Sequence, residues 1–177
     1  MQEPQFHTGA DREREDKALD LYCLHLCELD TYHMAYESDG SYDAQQYQFV
    51  MSFTKLDDMV GVDATIYRDK DPLCYAEVKG VNKNIDDAVT VPLSIRKMHN
   101  IEQFIKGTQN GYPPLKAVVI WAFHDGIGYR GYDKLTGFFK SGGSGQSVIR
   151  VGALYDIEQM AYIEKQHLRL VKYKEIG

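Results

Sequence analysis

Asp63, Glu77 and Lys79 are the residues whose types and spacing offer chemistry, because the segment that carries them fixes how they face one another. Residues 60–67 and 73–79 are two alternating runs separated by the five-residue break Arg68-Asp-Lys-Asp-Pro72, which reads as a β-hairpin. Successive side chains of a strand point to opposite faces. Asp63 therefore shares a face with Thr65 and Tyr67, and Glu77 shares one with Leu73, Tyr75 and Lys79. The other faces are apolar: Val62, Ala64 and Ile66 on one strand, Cys74, Ala76 and Val78 on its partner. Centring the turn on Lys70 sets Asp63 directly across from Glu77. Directly opposed residues have Cβ atoms about 4.5–5.5 Å apart, so both carboxylates can reach one small divalent ion, whose oxygen ligands sit at about 2.0–2.1 Å. Without a cation, one of the two should take up a proton. The plain alternative is an amphipathic hairpin on which Glu77 and Lys79 are ordinary surface charges, but an acid facing an acid is unfavourable unless something compensates it.

An aspartate, about a dozen residues, then Glu-x-Lys on a hairpin resembles the PD-(D/E)XK nuclease superfamily, with Val62 where the family name has proline. The resemblance implies an α/β protein with a restriction-endonuclease-like core, a mixed β-sheet with an antiparallel meander flanked by helices. It implies a divalent-metal-dependent nuclease, an endonuclease or exonuclease, that hydrolyses phosphodiester bonds, with DNA as the expected partner. Mg²⁺ (or Mn²⁺) would be held by Asp63, Glu77 and the main-chain carbonyl of Val78, and Lys79 would orient or activate the attacking water. Many members bring one more glutamate from the first helix; Glu15 is the first choice for that role and Glu13 the second. Lys97 and Gln103, on the second helix, are the candidates for contacts to phosphate or water. By analogy of size the chain compares with stand-alone bacterial or phage nucleases, and cutting both strands of a duplex would favour a homodimer with two-fold symmetry. The alternative is a non-catalytic nucleic-acid-binding or assembly module on the same fold. The acidic N-terminal third favours that module, and the intact Asp63, Glu77 and Lys79 set favours the enzyme.

The flanking elements must hold this hairpin in place. Ala18, Leu19, Tyr22, Leu26 and Leu29 recur at helical spacing, predicting a helix over 11–30 with Thr8 as its cap. Extending the stripe back one turn brings Glu15 to where the helix meets the sheet. Residues 46–54 read as a strand running into a turn at 55–58, which makes a three-stranded antiparallel meander with the hairpin. A polar loop, residues 81–87, leads to the apolar run 88–93. A helix is expected over 95–106, capped by Ser94 and ended by Gly107. Residues 116–123 read as a buried strand that Asp125-Gly126 and Gly128 turn back into 129–133. The expected organisation is a single domain, 1–177, with a core of about 10–135 and a C-terminal extension of 136–177. Within the extension, 156–174 fits both a helix and edge strands. Ser141-Gly-Gly-Ser-Gly-Gln146 reads as a flexible loop, since no Lys-Ser/Thr follows to make it a nucleotide-binding loop.

Composition sets the remaining bounds. A chain of 177 residues is long enough for one real core. The net charge of −6 disguises a split: residues 1–50 hold 3 Lys/Arg and 11 Asp/Glu, whereas 79–140 hold 9 and 5. The acidity is therefore local, and the segments expected around the hairpin are basic enough for modest, salt-sensitive nucleic-acid binding. No run approaches the roughly 20 apolar residues that span a bilayer, and the first residues lack the pattern of a secretory signal. The expectation is a cytoplasmic protein, in a bacterium or a phage-infected host, with no membrane partner. Three cysteines give no disulfide framework. Cys23 and Cys27 could pair with His25 or His33 in a metal site, but His25 is off their helical face, and buried thiols are the simpler reading. His124 beside Asp125 reads as the end of a strand. The thirteen tyrosines suit half-exposed strands, with stacking on unpaired bases as a second use.

Overall fold

A computed structural model of the chain describes residues 9–37, 50–57, 61–107, 111–135, 145–149 and 157–174. Helix α1 (Gly9–Glu37) is longer at both ends than its apolar stripe predicts. Ala18, Leu19, Tyr22 and Cys23 are buried, the spacing of a single helical face. Asp11 sits in the first turn, where the helix dipole favours negative charge. Thr8, the expected cap, lies outside the described residues, as do residues 46–49 of the expected first strand.

Strands β1 (Met51–Lys55), β2 (Ala64–Arg68) and β3 (Asp71–Gly80) form the antiparallel meander. Lys55, assigned to a turn by its neighbours in sequence, is instead the last residue of β1. The break between β2 and β3 is shorter than the sequence predicts. Only Asp69 and Lys70 lie between the strands, Asp69 adopts φ 56°, and its carboxylate accepts from the Val50 amide at 3.0 Å. Asp71 and Pro72 join β3, and a register shift between Ile66 and Tyr67 absorbs the difference. Towards Asp63 the expected register holds: Ile66 faces Cys74, Thr65 faces Tyr75 and Ala64 faces Ala76.

After β3, the short strand β4 (Thr90–Ser94) passes without a loop into α2 (Ile95–Ile105). Ser94 caps α2, its hydroxyl accepting from the Lys97 amide at 3.2 Å, and Gly107 follows the helix with φ 69°, the left-handed conformation that glycine tolerates. Strand β5 (Lys116–Ala122) runs parallel to β3 and turns at His124-Asp125 into β6 (Gly126–Gly131). Strands β7 (Gly145–Ile149), β8 (Ile157–Glu164) and β9 (Arg169–Lys172) are the remaining described strands; residues 132–135 after β6 are helical rather than a continuation of the strand expected over 129–133, and a 3-10 turn, Lys165–His167, links β8 to β9. The result is an α/β protein with a mixed six-stranded sheet, in the order β1-β2-β3-β5-β6-β9, and a second sheet, in the order β4-β8-β7.

The segment after residue 135 is built into both sheets, β8 pairing with β4 and β9 with β6. Its ambiguous pattern resolves as strand because Ala161 and Ile163, two apart, are buried together while the backbone hydrogen-bonds to β4. Of the expected loop at 141–146, Gly145 and Gln146 open β7 and the rest lies outside the described residues.

Each face of the large sheet has its own core. Ala64, Ile66, Ala76, Val78, Val118 and Ile120 pack under α1. Tyr75, Val119 and Trp121 pack with Ile101 and Phe104 of α2 and with Leu93 and Ile163 of the small sheet. The Trp121 indole donates to the Pro92 carbonyl at 2.8 Å, tying β5 to β4. Strand β3 is covered on both faces, and Cys74 through Val78 are all buried. Among the described residues no helix is long and apolar enough to cross a membrane.

β6 and β9 approach closely at Gly126, where a Cβ would stand 2.2 Å from the Val171 carbonyl oxygen and 2.7 Å from the Lys172 Cα. Both obstacles are main-chain atoms, so the strands would have to part. Gly126→Ala is expected to lower unfolding stability by about 1–3 kcal/mol, read as a shifted urea midpoint; an unchanged midpoint would show that β9 is not held this tightly.

Candidate functional site

Glu77 lies in the middle of the sheet, on β3 between β2 and β5, and is 1% exposed. Burying an ionised carboxylate is costly unless it is paired. The pairing comes from α2, whose Lys97 places its Nζ 3.0 Å from Glu77 Oε1. That reach follows from the short path between the two residues: β4 ends in the Ser94 cap, and Lys97 occupies the first turn of the helix. The other oxygen, Oε2, is buried and has no hydrogen-bond partner.

Asp63 reaches the same place by a different geometry from the one its sequence position predicts. The β2–β3 ladder ends at Ala64, and Asp63 is not a ladder partner of Glu77. Its amide donates to the Ala76 carbonyl at 3.0 Å and its own carbonyl accepts from the Leu56 amide at 2.8 Å. Its carboxylate Oδ2 accepts from the Val78 amide at 2.6 Å, satisfying a main-chain donor on the stretch of β3 that β2 no longer covers. Leaving the ladder also moves Val62, which packs with Tyr75 and Trp121 and not with Ala64 and Ile66 as strict alternation predicts. The two carboxylates remain close enough for Asp63 to act on the charge of Glu77.

Burial, and after it the Asp63 charge, pushes the Glu77 carboxyl up to about 8, while Lys97 and Lys79 pull in the opposite direction. For Lys97, burial works to lower its pKa, but the charges of Glu77 and Asp63 prevail and raise it. The cluster is thus two carboxylates and two ammonium groups around one buried oxygen pair.

The remaining expected residues are placed as follows. Lys79, two residues beyond Glu77 on β3, is half-buried; together with Glu15 and Val78 it lines a cavity of about 220 Å³ beside α1. Glu15 is bound to Lys55, its Oε2 2.6 Å from the Lys55 Nζ, and Asp16 lies 3.3 Å from the same ammonium. Glu13 is exposed and pairs with Lys17 at 3.5 Å. Gln103 lies in the second half of α2 and is half-buried. Among the described residues no three His, Cys, Asp or Glu side chains converge as a metal cluster. Cys23 and Cys74 are buried thiols, and the His25 ring meets the Tyr129 hydroxyl at 3.0 Å. The side chain of His33 is outside the described residues.

Two residues of this neighbourhood were not singled out by the sequence. Lys55 faces Ala64 across the β1–β2 ladder, next to Asp63, and a strand end opposite the Asp63 neighbour was the one local signal for it. Arg14 donates from Nη1 to Asn82 Oδ1 at 2.7 Å, a contact between distant segments that no local pattern signals.

A hard divalent cation suits this donor set, because Mg²⁺ keeps several waters and takes one or two carboxylates rather than a full protein cage. Glu77 Oε2, buried and without a partner, is an oxygen such an ion would satisfy. Lys97 on the other oxygen is the kind of hydrogen bond that orients a ligating carboxylate.

The raised Glu77 pKa has a consequence for stability. Its ordinary value is 4.5, so between about 4.5 and 8 the folded protein holds a proton that the unfolded chain has released. The stability contributed by this group is complete below about pH 4.5 and is lost as pH rises through about 8. In metal-free buffer, unfolding stability of the parent is expected to fall across that window more steeply than that of Glu77→Gln. Parallel pH profiles for the two proteins in urea titrations would show that Glu77 is not the group responsible.

Comparison with protein-family models, with curated proteins and with solved structures finds no match to this chain, so its own residues carry the functional reading.

Proposed function

We propose that the protein is a divalent-metal-dependent nuclease on a restriction-endonuclease-like core, acting on phosphodiester bonds, with DNA as its substrate. The observation that carries this reading is Glu77: a buried carboxylate on a central strand, one oxygen bound to Lys97 and the other without a partner, with Asp63 beside it. The order helix α1, meander β1–β3, helix α2 and parallel strand β5 supports the core assignment, since that is the arrangement the family likeness leads one to expect. Asp63 and Glu77 would hold Mg²⁺ or Mn²⁺, with the Val78 carbonyl as the third protein oxygen. When bound, the ion would polarise a phosphate oxygen and lower the pKa of a water molecule.

The chain's own residues have distinct tasks in this reading. Lys97 pulls the Glu77 pKa down against burial and the Asp63 charge and occupies Oε1, which leaves Oε2 for the ion. Asp63 is held by the Val78 amide through Oδ2, and its other oxygen would serve the ion. Lys79 supplies a positive charge on the Glu77 side of β3, where it would orient the attacking water and offset the charge that builds on the phosphate in the transition state. Glu15 would join as a further ligand only by leaving Lys55. Gln103 is the second polar contact α2 can offer a substrate. A two-fold homodimer would bring a second centre to the opposite strand of a duplex.

One observation favours the non-catalytic binding module. Glu77 has Lys97 on one oxygen and a pKa raised to about 8, so its burial is tolerated without a metal.

Cleavage of supercoiled, linear, single-stranded and branched DNA, and of RNA, with Mg²⁺, Mn²⁺ or EDTA separates the two readings. Metal-dependent cutting is expected from the parent and is expected to drop on the order of 10²-fold or more in Asp63→Asn and in Lys79→Ala. Calorimetric Mn²⁺ binding should survive in Lys79→Ala. Folded parent protein that cuts nothing, or a Lys79→Ala protein that cuts like the parent, would reject the enzyme or the lysine role respectively. Lys97→Met should raise the Glu77 pKa further and weaken Mn²⁺ binding about 10–100-fold, with partial recovery in Lys97→Arg; equal Mn²⁺ affinity in all three would remove Lys97 from the centre.

A further inference from the structure

The strands β3 and β5 run parallel, and their carboxyl-terminal ends meet at Gly80 and Ala122. Crevices outside the carboxyl ends of parallel strands are where open α/β sheets bind ligands. Two cavities open there. One is the cavity of about 220 Å³ that Lys79 lines beside α1; the other, of about 710 Å³, runs along α1 to β9. Arg14 belongs to the wall of both. We propose that these two cavities together bind a single nucleic-acid strand, with Arg14, which lines both, holding a backbone phosphate between them. The proposal rests on the nuclease reading and names the substrate form that the centre would receive.

Arg14 is placed for that task by contacts from outside its own helix. Asn82 accepts from Nη1 at 2.7 Å, which engages one of the five guanidinium donors. Gly80 lies directly beneath: a Cβ there would stand 3.3 Å from Nη1. The guanidinium is therefore held over the end of β3 with donors in hand, in the geometry that suits planar, bidentate recognition of phosphate.

Beyond Arg14 the groove offers both features that unpaired nucleic acid uses, cations along a track and surfaces for bases. The cations are Lys17, Lys172 and Lys174. Carboxylates line the groove as well. Glu28 pairs with Lys174 at 2.8 Å and Glu13 with Lys17 at 3.5 Å, and Asp20 is the third. Lys172 binds Asp86 at 2.7 Å. Exposed pairs of this kind are worth about 0–1 kcal/mol each, so a phosphate can replace a carboxylate at little cost. The apolar surface comes from Leu21, Leu24 and Val171, with His124 and Tyr173 as rings at the edge; Leu24 is 53% exposed. The larger cavity falls within the roughly 300–1,000 Å³ of small-molecule pockets. That volume takes in a short stretch of single strand.

The test is fluorescence anisotropy with a short labelled single-stranded oligodeoxynucleotide and its duplex, in EDTA and across a KCl series. The parent is expected to bind the single strand more tightly than the duplex. Arg14→Ala is expected to weaken single-strand binding about tenfold and to reduce the magnitude of the salt slope by about 0.7, the value for one phosphate contact on a single strand. Arg14→Lys should restore part of the affinity, and melting temperatures of all three should agree, since Arg14 makes a surface contact. A parent that cuts DNA while Arg14→Ala binds with unchanged affinity and salt slope, or a parent that prefers the duplex, overturns the groove and leaves the nuclease standing. A parent that neither binds nor cuts nucleic acid overturns both.

Discussion

A carboxylate in the middle of a sheet is the constraint around which this protein is arranged. Glu77 sits on a strand covered on both faces, where leaving it charged and alone would cost several kcal/mol. The rest of the architecture limits that cost without removing it. β4 runs straight into α2 so that the first helical turn carries Lys97 over the strand. The Ser94 cap and the Trp121–Pro92 hydrogen bond fix where that turn sits. A buried ion pair is weak evidence for stability, because apolar residues of similar size do as well or better. Its presence on a buried central strand is therefore better explained by a task for the carboxylate than by a need of the fold.

The second device is the place where β2 lets go of β3. Ladder pairing ends at Ala64, yet β3 continues to Gly80 with β5 still alongside. Val78 would have an unpaired amide there, and the Asp63 carboxylate takes it. One interaction thus closes a hole in the sheet and fixes a negative charge beside Glu77. Burial, and after it the repulsion between the two acids, raises the Glu77 pKa. Sites that work by charge are commonly built from groups whose neighbours push their pKa values away from the ordinary range.

Much of this was legible in the sequence because local rules dictated it. Period-two alternation gave the faces of β3 correctly: Cys74, Ala76 and Val78 pack under α1, and Glu77 lies opposite. Ser94 and Gly107 marked the ends of α2 because capping and left-handed backbone are local chemistry. The apolar run before His124 could only be a buried strand. Other features were misread for equally physical reasons. Turn residues do not announce how many of them a strand will absorb, so Asp71 and Pro72 passed for loop. Alternation fails where a ladder ends, which is why Val62 changed sides. The tail carried enough apolar spacing for a helix, and only the open edges of β4 and β6 made it strand.

By itself, then, the sequence determined which residues could share a face, where α2 starts and stops, and that Asp63, Glu77 and Lys79 belong to one neighbourhood. These follow from stereochemistry within a few residues of chain. Only the tertiary structure decided what each charge is paired with. Lys97 meets Glu77, Lys55 takes Glu15, and Arg14 crosses to Asn82. Each of these contacts joins segments that are distant in sequence, and its free energy depends on burial and distance, which no local pattern encodes. Electrostatics is the part of the design that a chain acquires only when it is folded.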